Sequence, residues 1–334
     1  MPALLLLLLW CAQALAPNKA PLKTNVAGKY FVDATCIDCD TCRWMAPEIF
    51  GRAEGKSCVV KQPASPEQEE LATRAAVACP TGSIRARGNP PKVEFPELVD
   101  ERFPNVYHCG FHSPKSFGAT PYLVSRGGRV IMIDSPRFNS KFANRIEREF
   151  GAPEFLLLTH IDDVADHAKW KERFPEMKRV IHEAEVRGPD KWPYIETRDV
   201  EIQLSDEDSD IAPGVSAIHV PGHSRGHLAF LVETDGDNVL FTGDHLALSA
   251  RLGRLDGFAR YGWDVGKQAD SIAKLKDLDF LHILPGHGRR ISFSSADKRR
   301  AAVEEAARLF REDPYGRKSV ATPLWKTPDL VAET

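Results

Sequence analysis

The apolar run Phe-Leu-Leu-Leu at residues 155–158 breaks at Thr159 into a dense set of polar side chains: His160, Asp162, Asp163, Asp166 and His167 follow within eight residues. Imidazole nitrogens and carboxylate oxygens are common ligands of divalent cations, the imidazole adding no charge and the carboxylate compensating one. An acid-rich, solvated helix start is the competing reading, since carboxylates suit the positive end of a helix dipole. Three loops further on weigh towards metal. They are Pro221-Gly-His223, Thr242-Gly-Asp244 and Leu284-Pro-Gly-His287, each just beyond an apolar run. Glycine ahead of the polar residue lets the backbone turn tightly and aim the next side chain into a shared cleft at the strand ends. With His160, Asp166 and His167 they make a candidate multi-ligand site.

A second set is made of sulfur. Of seven cysteines, Cys36, Cys39 and Cys42 stand in a C-x-x-C-x-x-C run, and Cys79 precedes Pro80. Three thiolates at this spacing can hold one corner of a cubane cluster while a remote fourth closes it. Tetrahedral zinc sites usually pair their cysteines as two separate knuckles instead. Residues 30–87 resemble bacterial-type single-cluster ferredoxins through Cys36-Ile-Asp-Cys39-Asp-Thr-Cys42, Ala46-Pro-Glu-Ile-Phe50 and Ala78-Cys-Pro-Thr-Gly-Ser-Ile84. The resemblance implies one 4Fe-4S cluster on Cys36, Cys39, Cys42 and Cys79 in a small α+β domain, with a redox partner for it. Cys58 and Cys109 have no partner spacing and read as small buried hydrophobes.

These residues need elements to position them. Ser65, Pro66 and Gln68 mark a helix start, and the helix through Ala78 delivers Cys79. Residues 88–104, with four prolines, read as a linker. Beyond it, strands are predicted at 122–125 and 130–133 around Gly127-Gly128, then at 155–158, 180–181, 200–204, 215–220, 228–232 and 239–242, with an Asp235-Gly236 hairpin. Asp166 and His167 open a helix through Phe174. Further helices are predicted at 141–150, capped by Ser140, and at 268–278 and 296–310. Strands bordered by helices in both halves predict two facing sheets with helices outside.

With those loops in place, residues 105–310 resemble the metallo-β-lactamase superfamily. The resemblance implies an αββα sandwich whose edge cleft holds one or two divalent metals. In that scheme His167, Asp166 and His287 serve one metal, His160 and His223 the other, and Asp244 bridges them. One departure stands out. The family pattern is His-x-His-x-Asp-His, whereas this chain has His160-Ile-Asp162-Asp163-Val-Ala-Asp166-His167. A two-residue insertion would let Asp162 replace the second histidine and leave Asp163 outside the ligands; an ungapped match would leave Val164 where a ligand belongs. The insertion is the reading adopted. Oxygen-rich ligation suits harder ions, so zinc and iron both stay open.

The implied activity is hydrolysis of an ester, thioester or related bond by metal-bound hydroxide, with Asp166 orienting the nucleophile or carrying its proton. A non-haem iron oxidoreductase fed electrons by the ferredoxin domain is the second reading, and a non-catalytic metal and iron-sulfur protein the third. Arg251, Arg254 and Arg260, with His227 nearby, are candidates to clasp an anionic small-molecule substrate; a solvated basic rim is the alternative.

The whole chain bounds these readings. It has 44 Lys plus Arg against 47 Asp plus Glu in 334 residues, a balance that argues against nucleic acid as partner. The apolar block at residues 4–16 is too short to span a bilayer, so no stable membrane span is expected. Residues 1–22 read as a targeting segment. Ala14-Leu-Ala-Pro17, followed by Lys19 and Lys23, resembles a signal-plus-transit junction leading to a plastid; the secretory pathway is the alternative. The expected plan is an α/β two-domain chain: a ferredoxin-like domain at 24–88, a linker at 89–104, a metallo-β-lactamase-like domain at 105–312 and a tail at 313–334.

Overall fold

The computed structural model describes residues 19–317, so most of the expected targeting segment and tail lie outside the described residues. The chain divides into two compact units that part after Val93. In the first, β1 (Tyr30–Val32), α1 (Thr41–Met45), β2 (Phe50–Ala53), β3 (Lys56–Val59), α2 (Pro66–Ala78) and β4 (Ile84–Ala86) succeed one another. β1 pairs antiparallel with β4, and β2 with β3. Ser65 caps α2 by accepting a hydrogen bond from the Gln68 amide, and Pro66 opens the helix. Ala72, Ala75 and Ala78 are buried along the helix, the first two packed with Tyr30, Val59 and Ile84. Asn25 ties the strands together, its Oδ1 accepting from the amides of Val32 and Val59 at 2.9 Å each.

The second unit runs β5 (Glu97–Leu98), β6 (Val106–His108), β7 (Tyr122–Arg126), β8 (Arg129–Ile133), α3 (Ser140–Glu149), β9 (Phe155–Leu157), α4 (His167–Arg173), β10 (Lys178–His182), β11 (Ile202–Leu204), β12 (Ser209–Ala212), β13 (Val215–His219), β14 (Leu228–Val232), β15 (Val239–Gly243), β16 (Ala247–Ser249), β17 (Arg254–Asp256), α5 (Val265–Lys274), β18 (His282–Pro285), β19 (Ile291–Ser292) and α6 (Ala296–Glu312). One sheet has the order β11-β10-β9-β8-β7-β6-β5 and the other β12-β13-β14-β15-β18-β19. Their inner faces interdigitate: Val124, Ile131, Ile133, Phe155, Leu157 and Val180 meet Val215, Leu228, Phe230, Val239, Phe241 and Leu284. α5 and α6 cover the outer face of the second sheet through Ile272, Val303 and Phe310. Each helix hides one apolar stripe, which gives the αββα layering.

Local differences from the sequence reading have local causes. Asn139, not Ser140, caps α3 by accepting from the Phe142 amide. Asp264 caps α5 three residues earlier than the apolar spacing suggested, and the segment beyond Lys274 tightens into a 3-10 turn. Glu97 and Leu98, inside the stretch read as linker, pair with β6 as an edge strand. Gly127 and Gly128 take φ of +57° and +76°, the left-handed pair that a two-residue hairpin between β7 and β8 requires. No helix among the described residues is long and apolar enough to cross a membrane.

Candidate metal centre

The first unit offers a thiol cradle. Cys36, Cys39, Cys42 and Cys79 line one cavity together with Val32, Ile37, Thr41, Ser57, Thr81, Ser83 and Ile84. Cys36 and Cys39 arrive on the loop into α1, Cys42 lies in α1 itself, and Cys79 sits at the C-terminal end of α2. None of the six described cysteines is disulfide-bonded. Burial pushes the Cys39 and Cys42 thiols up from their ordinary value, so thiolates here call for positive charge among them. Four convergent sulfurs in a cavity lined besides only by apolar and hydroxyl side chains suit a 4Fe-4S cluster.

In the second unit, five loops that follow strands converge. β8 leads to Asp134, β9 to His160, β13 to His223, β15 to Asp244 and β18 to His287. The sheets are stitched at this edge by main-chain bonds, from Leu228 N to Thr159 O and from Thr120 N to Gly286 O, each 2.8 Å. Asp244 is the hub. His287 Nδ1 lies 2.7 and 2.9 Å from its two oxygens, His223 Nε2 3.8 Å from Oδ2, and His160 Nε2 3.9 Å from the same Oδ2. Asp163 joins Asp244 and His287 within reach of a single ion, as His160 and His223 do with Asp244. Asp162 Oδ2 stands 3.9 Å from His160 Nε2.

The donor set fits divalent metal. His160 Nε2, His287 Nε2, Asp162 Oδ1 and both oxygens of Asp163 are buried with no hydrogen-bond partner among the described residues. Buried polar atoms are otherwise almost always paired, and a bound cation would pair them here. The charges say the same. Burial raises Asp162 to about 7 and Asp163 well above its ordinary value, with the Asp244 charge adding to both. Burial holds His160 neutral, down to about 3, whereas the Asp244 carboxylate overcomes burial to raise His287. Three carboxylates this close ionise together only with positive charge among them.

The surroundings set orientation. Thr159 Oγ1 lies 3.0 Å from both His160 Nδ1 and Asp134 Oδ1. With the hydroxyl donating to Asp134, His160 Nδ1–H donates to Thr159 and the Nε2 lone pair is left facing Asp244. Glu185, fully buried, accepts from Ile161 N at 3.2 Å and Gly226 N at 2.6 Å, clamping the two histidine loops to each other.

The structure redistributes the residues read from sequence. His160, Asp162, His223, Asp244 and His287 come together; Asp166 and His167 do not join them. Asp166 takes φ +52° ahead of α4, which turns its carboxylate to Phe138 N at 3.0 Å, Lys115 Nζ at 3.3 Å and Lys169 Nζ at 3.1 Å. Both nitrogens of His167 are engaged, Nδ1 by Arg179 at 3.0 Å and Nε2 by Glu196 O at 2.8 Å. Asp163, left outside the ligands in the insertion reading, takes the place given to Asp166. A 3-10 turn over Ile161–Asp163 makes this happen by folding Asp163 back towards His160. His227 is fully buried beneath the cluster, stacked on His160 at 4.7 Å and accepting from Asp244 N, so it is not on a substrate surface. Arg251 binds the carbonyls of Tyr315 and Gly316. Arg254 lines a separate cavity with Ile291 and Glu305, and Arg260 is exposed over the Tyr261 ring. Asp134, Asp163, Thr159 and Glu185 are the residues that sequence reasoning missed. An acid directly after the apolar run of β8 was the available signal for Asp134.

Comparison with known proteins agrees with both units. Residues 32–86 match the family model for the 4Fe-4S single cluster domain of ferredoxin I, and residues 116–287, just over half of the chain, that for the metallo-β-lactamase superfamily. Over 164 residues the chain is 27% identical to an atrochrysone carboxyl ACP thioesterase of Passalora fulva, covering 45% of this chain and 46% of that one. It is 32% identical over 139 residues to a hydroxyacylglutathione hydrolase of Xanthomonas campestris pv. campestris, covering 40% and 48%. The chain thus spans about half the length of these two relatives. Among solved structures, a B3 metallo-β-lactamase with an active-site glutamic acid aligns at 19% identity and TM-score 0.45, over 65% of this chain and 89% of that one. The chain belongs to the metallo-β-lactamase superfamily and carries a single-cluster ferredoxin-type domain ahead of the sandwich.

Proposed function

We propose that this protein is a metal-dependent hydrolase of a small-molecule ester or thioester. The observation that carries the reading is the convergence of His160, His223, His287 and Asp163 on Asp244, in two sets each within reach of a shared ion. The names of the Passalora and Xanthomonas relatives, a thioesterase and a hydrolase of an acylated glutathione, favour a thioester. A bound divalent cation would lower the pKa of water towards neutrality and polarise the scissile carbonyl. The chain's own contribution is to hold that charge: Asp163 and Asp244 compensate it, Thr159 fixes the His160 tautomer, and Glu185 keeps the two histidine loops in register. The proton-carrying role read for Asp166 is not retained, because its carboxylate is committed to Lys115, Lys169 and Phe138. Anaerobically purified full-length protein should contain zinc or iron beyond the cluster and hydrolyse acylated glutathione or acyl-CoA thioesters. Asp244→Ala should lose both metal and turnover, and turnover persisting without the extra metal would refute the reading.

A second reading is favoured by the ligand set itself. Asp162 and Asp163 stand where a second histidine is usual, and oxygen-rich ligation suits iron. With the ferredoxin-type domain in the same chain, an iron centre supplied with electrons is the competing function. Iron in excess of one cluster, with a metal centre that changes its spectrum on reduction, would favour it over hydrolysis. We further propose the plastid as destination, tested by imaging the full-length chain with a C-terminal fluorescent tag.

A further inference from the structure

We propose that the hydroxyls of Thr41, Ser57 and Ser83 tune the iron-sulfur cluster, raising its reduction potential through hydrogen bonds to three of its four cysteine sulfurs. Thr41 Oγ1 lies 3.3 Å from Cys39 Sγ, and Ser83 Oγ 3.4 Å from Cys79 Sγ; Thr81 Oγ1 donates to Ser83 Oγ at 3.1 Å and itself lies 3.7 Å from Cys79 Sγ. Ser57 bonds Cys42. Thr41, Ser57 and Ser83 are only 2%, 2% and 1% exposed, in a cavity also walled by Val32, Ile37, Pro80, Thr81 and Ile84. A buried hydroxyl needs a partner, and the sulfurs supply it.

Ser57 differs from the other two in touching a cation. The buried Arg43 guanidinium donates to Ser57 Oγ at 2.5 Å and is held there by Asp38 at 2.8 Å and Asp40 at 2.5 Å. A guanidinium accepts no hydrogen bond, so the Ser57 proton is left for Cys42, and the serine passes positive charge towards the sulfur. Cys36 differs, since its donor is the Asp38 main-chain amide at 3.4 Å, which no side-chain substitution removes. When the cluster gains one electron the added charge spreads onto its sulfurs, and donors aimed at them stabilise the reduced state over the oxidised one.

The inference rests on the cradle holding a 4Fe-4S cluster and is independent of the reaction at the Asp244 centre. The test uses the full-length holoprotein, with Thr41→Val, Ser57→Ala, Ser83→Ala and the control Thr41→Ser. Iron and acid-labile sulfide are counted first, and the midpoint is then read by electron paramagnetic resonance during a mediated titration with dithionite. Each removal should lower the midpoint, Ser57→Ala most. The three together should shift it by about 59 mV, a tenfold change in the reduced-to-oxidised ratio of a one-electron couple. Thr41→Ser should stay at the wild-type value. Unchanged midpoints in variants with full cluster content would overturn the proposal. Should Ser57→Ala fail to assemble, Thr41→Val and Ser83→Ala still decide. Zinc in place of iron and sulfide would overturn the cluster reading itself.

Discussion

Gly286 faces Asp163 across a gap too narrow for a methyl group unless the carboxylates move: a Cβ built on it would stand 2.9 Å from Asp163 Oδ2 and 3.0 Å from Asp244 Oδ1. Its backbone is not in the left-handed region, so the constraint is space and not conformation. Gly286→Ala should therefore fold and yet force the two carboxylates apart. The expected result is metal affinity at least tenfold weaker, with an unchanged circular dichroism spectrum. Competition titration with a chromophoric chelator measures it, and wild-type affinity would show that the two carboxylates do not share an ion.

Thr159 acts on the same centre from behind His160. Thr159→Val removes the hydroxyl that joins His160 Nδ1 to Asp134 and leaves both without that partner in a buried setting. The tautomer with Nε2 facing Asp244 then loses its support. Metal affinity should fall about 10- to 100-fold, the usual cost of removing such an orienting group. Thr159→Ser should retain most of it, because the hydroxyl remains; an equal loss in both variants would point to packing instead.

Asp166 supplies the sharpest contrast with the sequence reading. Asp166→Ala should keep the metal stoichiometry and the turnover while losing the bond to Phe138 N and the two lysine pairs, a cost of about 1–3 kcal/mol for a charge-assisted contact. Urea denaturation and metal analysis, run on the same preparation, give both numbers. Loss of metal without loss of stability would return Asp166 to the ligand set.

The contrast shows where sequence was informative. Short apolar runs, Gly-Gly at the β7–β8 turn and the serine cap of α2 are local signals, and the elements they specify formed as expected. The loop motifs ending in His223, Asp244 and His287 were also local, since Gly222 and Gly243 turn the backbone at φ of +142° and +48° ahead of their neighbours, and Gly286 leaves room beside Asp163 and Asp244. The segment from His160 to His167 was not local in this sense. Which of its acids faces the cleft depends on whether residues 161–163 make a 3-10 turn, and so on Glu185 accepting the Ile161 amide from a different loop. Spacing cannot carry a hydrogen bond from 24 residues away.

Glu201 supplies a pH dependence away from both centres. Arg179, only 2% exposed, gives Glu201 three hydrogen bonds, from N at 2.8 Å, Nε at 3.1 Å and Nη2 at 2.9 Å. Burial would raise this carboxyl, but the Arg179 bonds override it and bring it down to about 2 from an ordinary 4.5. The folded state thus binds the proton less readily than the unfolded chain. The stabilisation is fully present above about 4.5 and is lost as pH falls from there towards 2. Glu201→Gln keeps the shape without the charge, so its melting temperature should lie below wild type at pH 7, with the gap narrowing at pH 3. A gap of equal size at both pH values would mean that Glu201 contributes through packing and neutral hydrogen bonds, not through its charge.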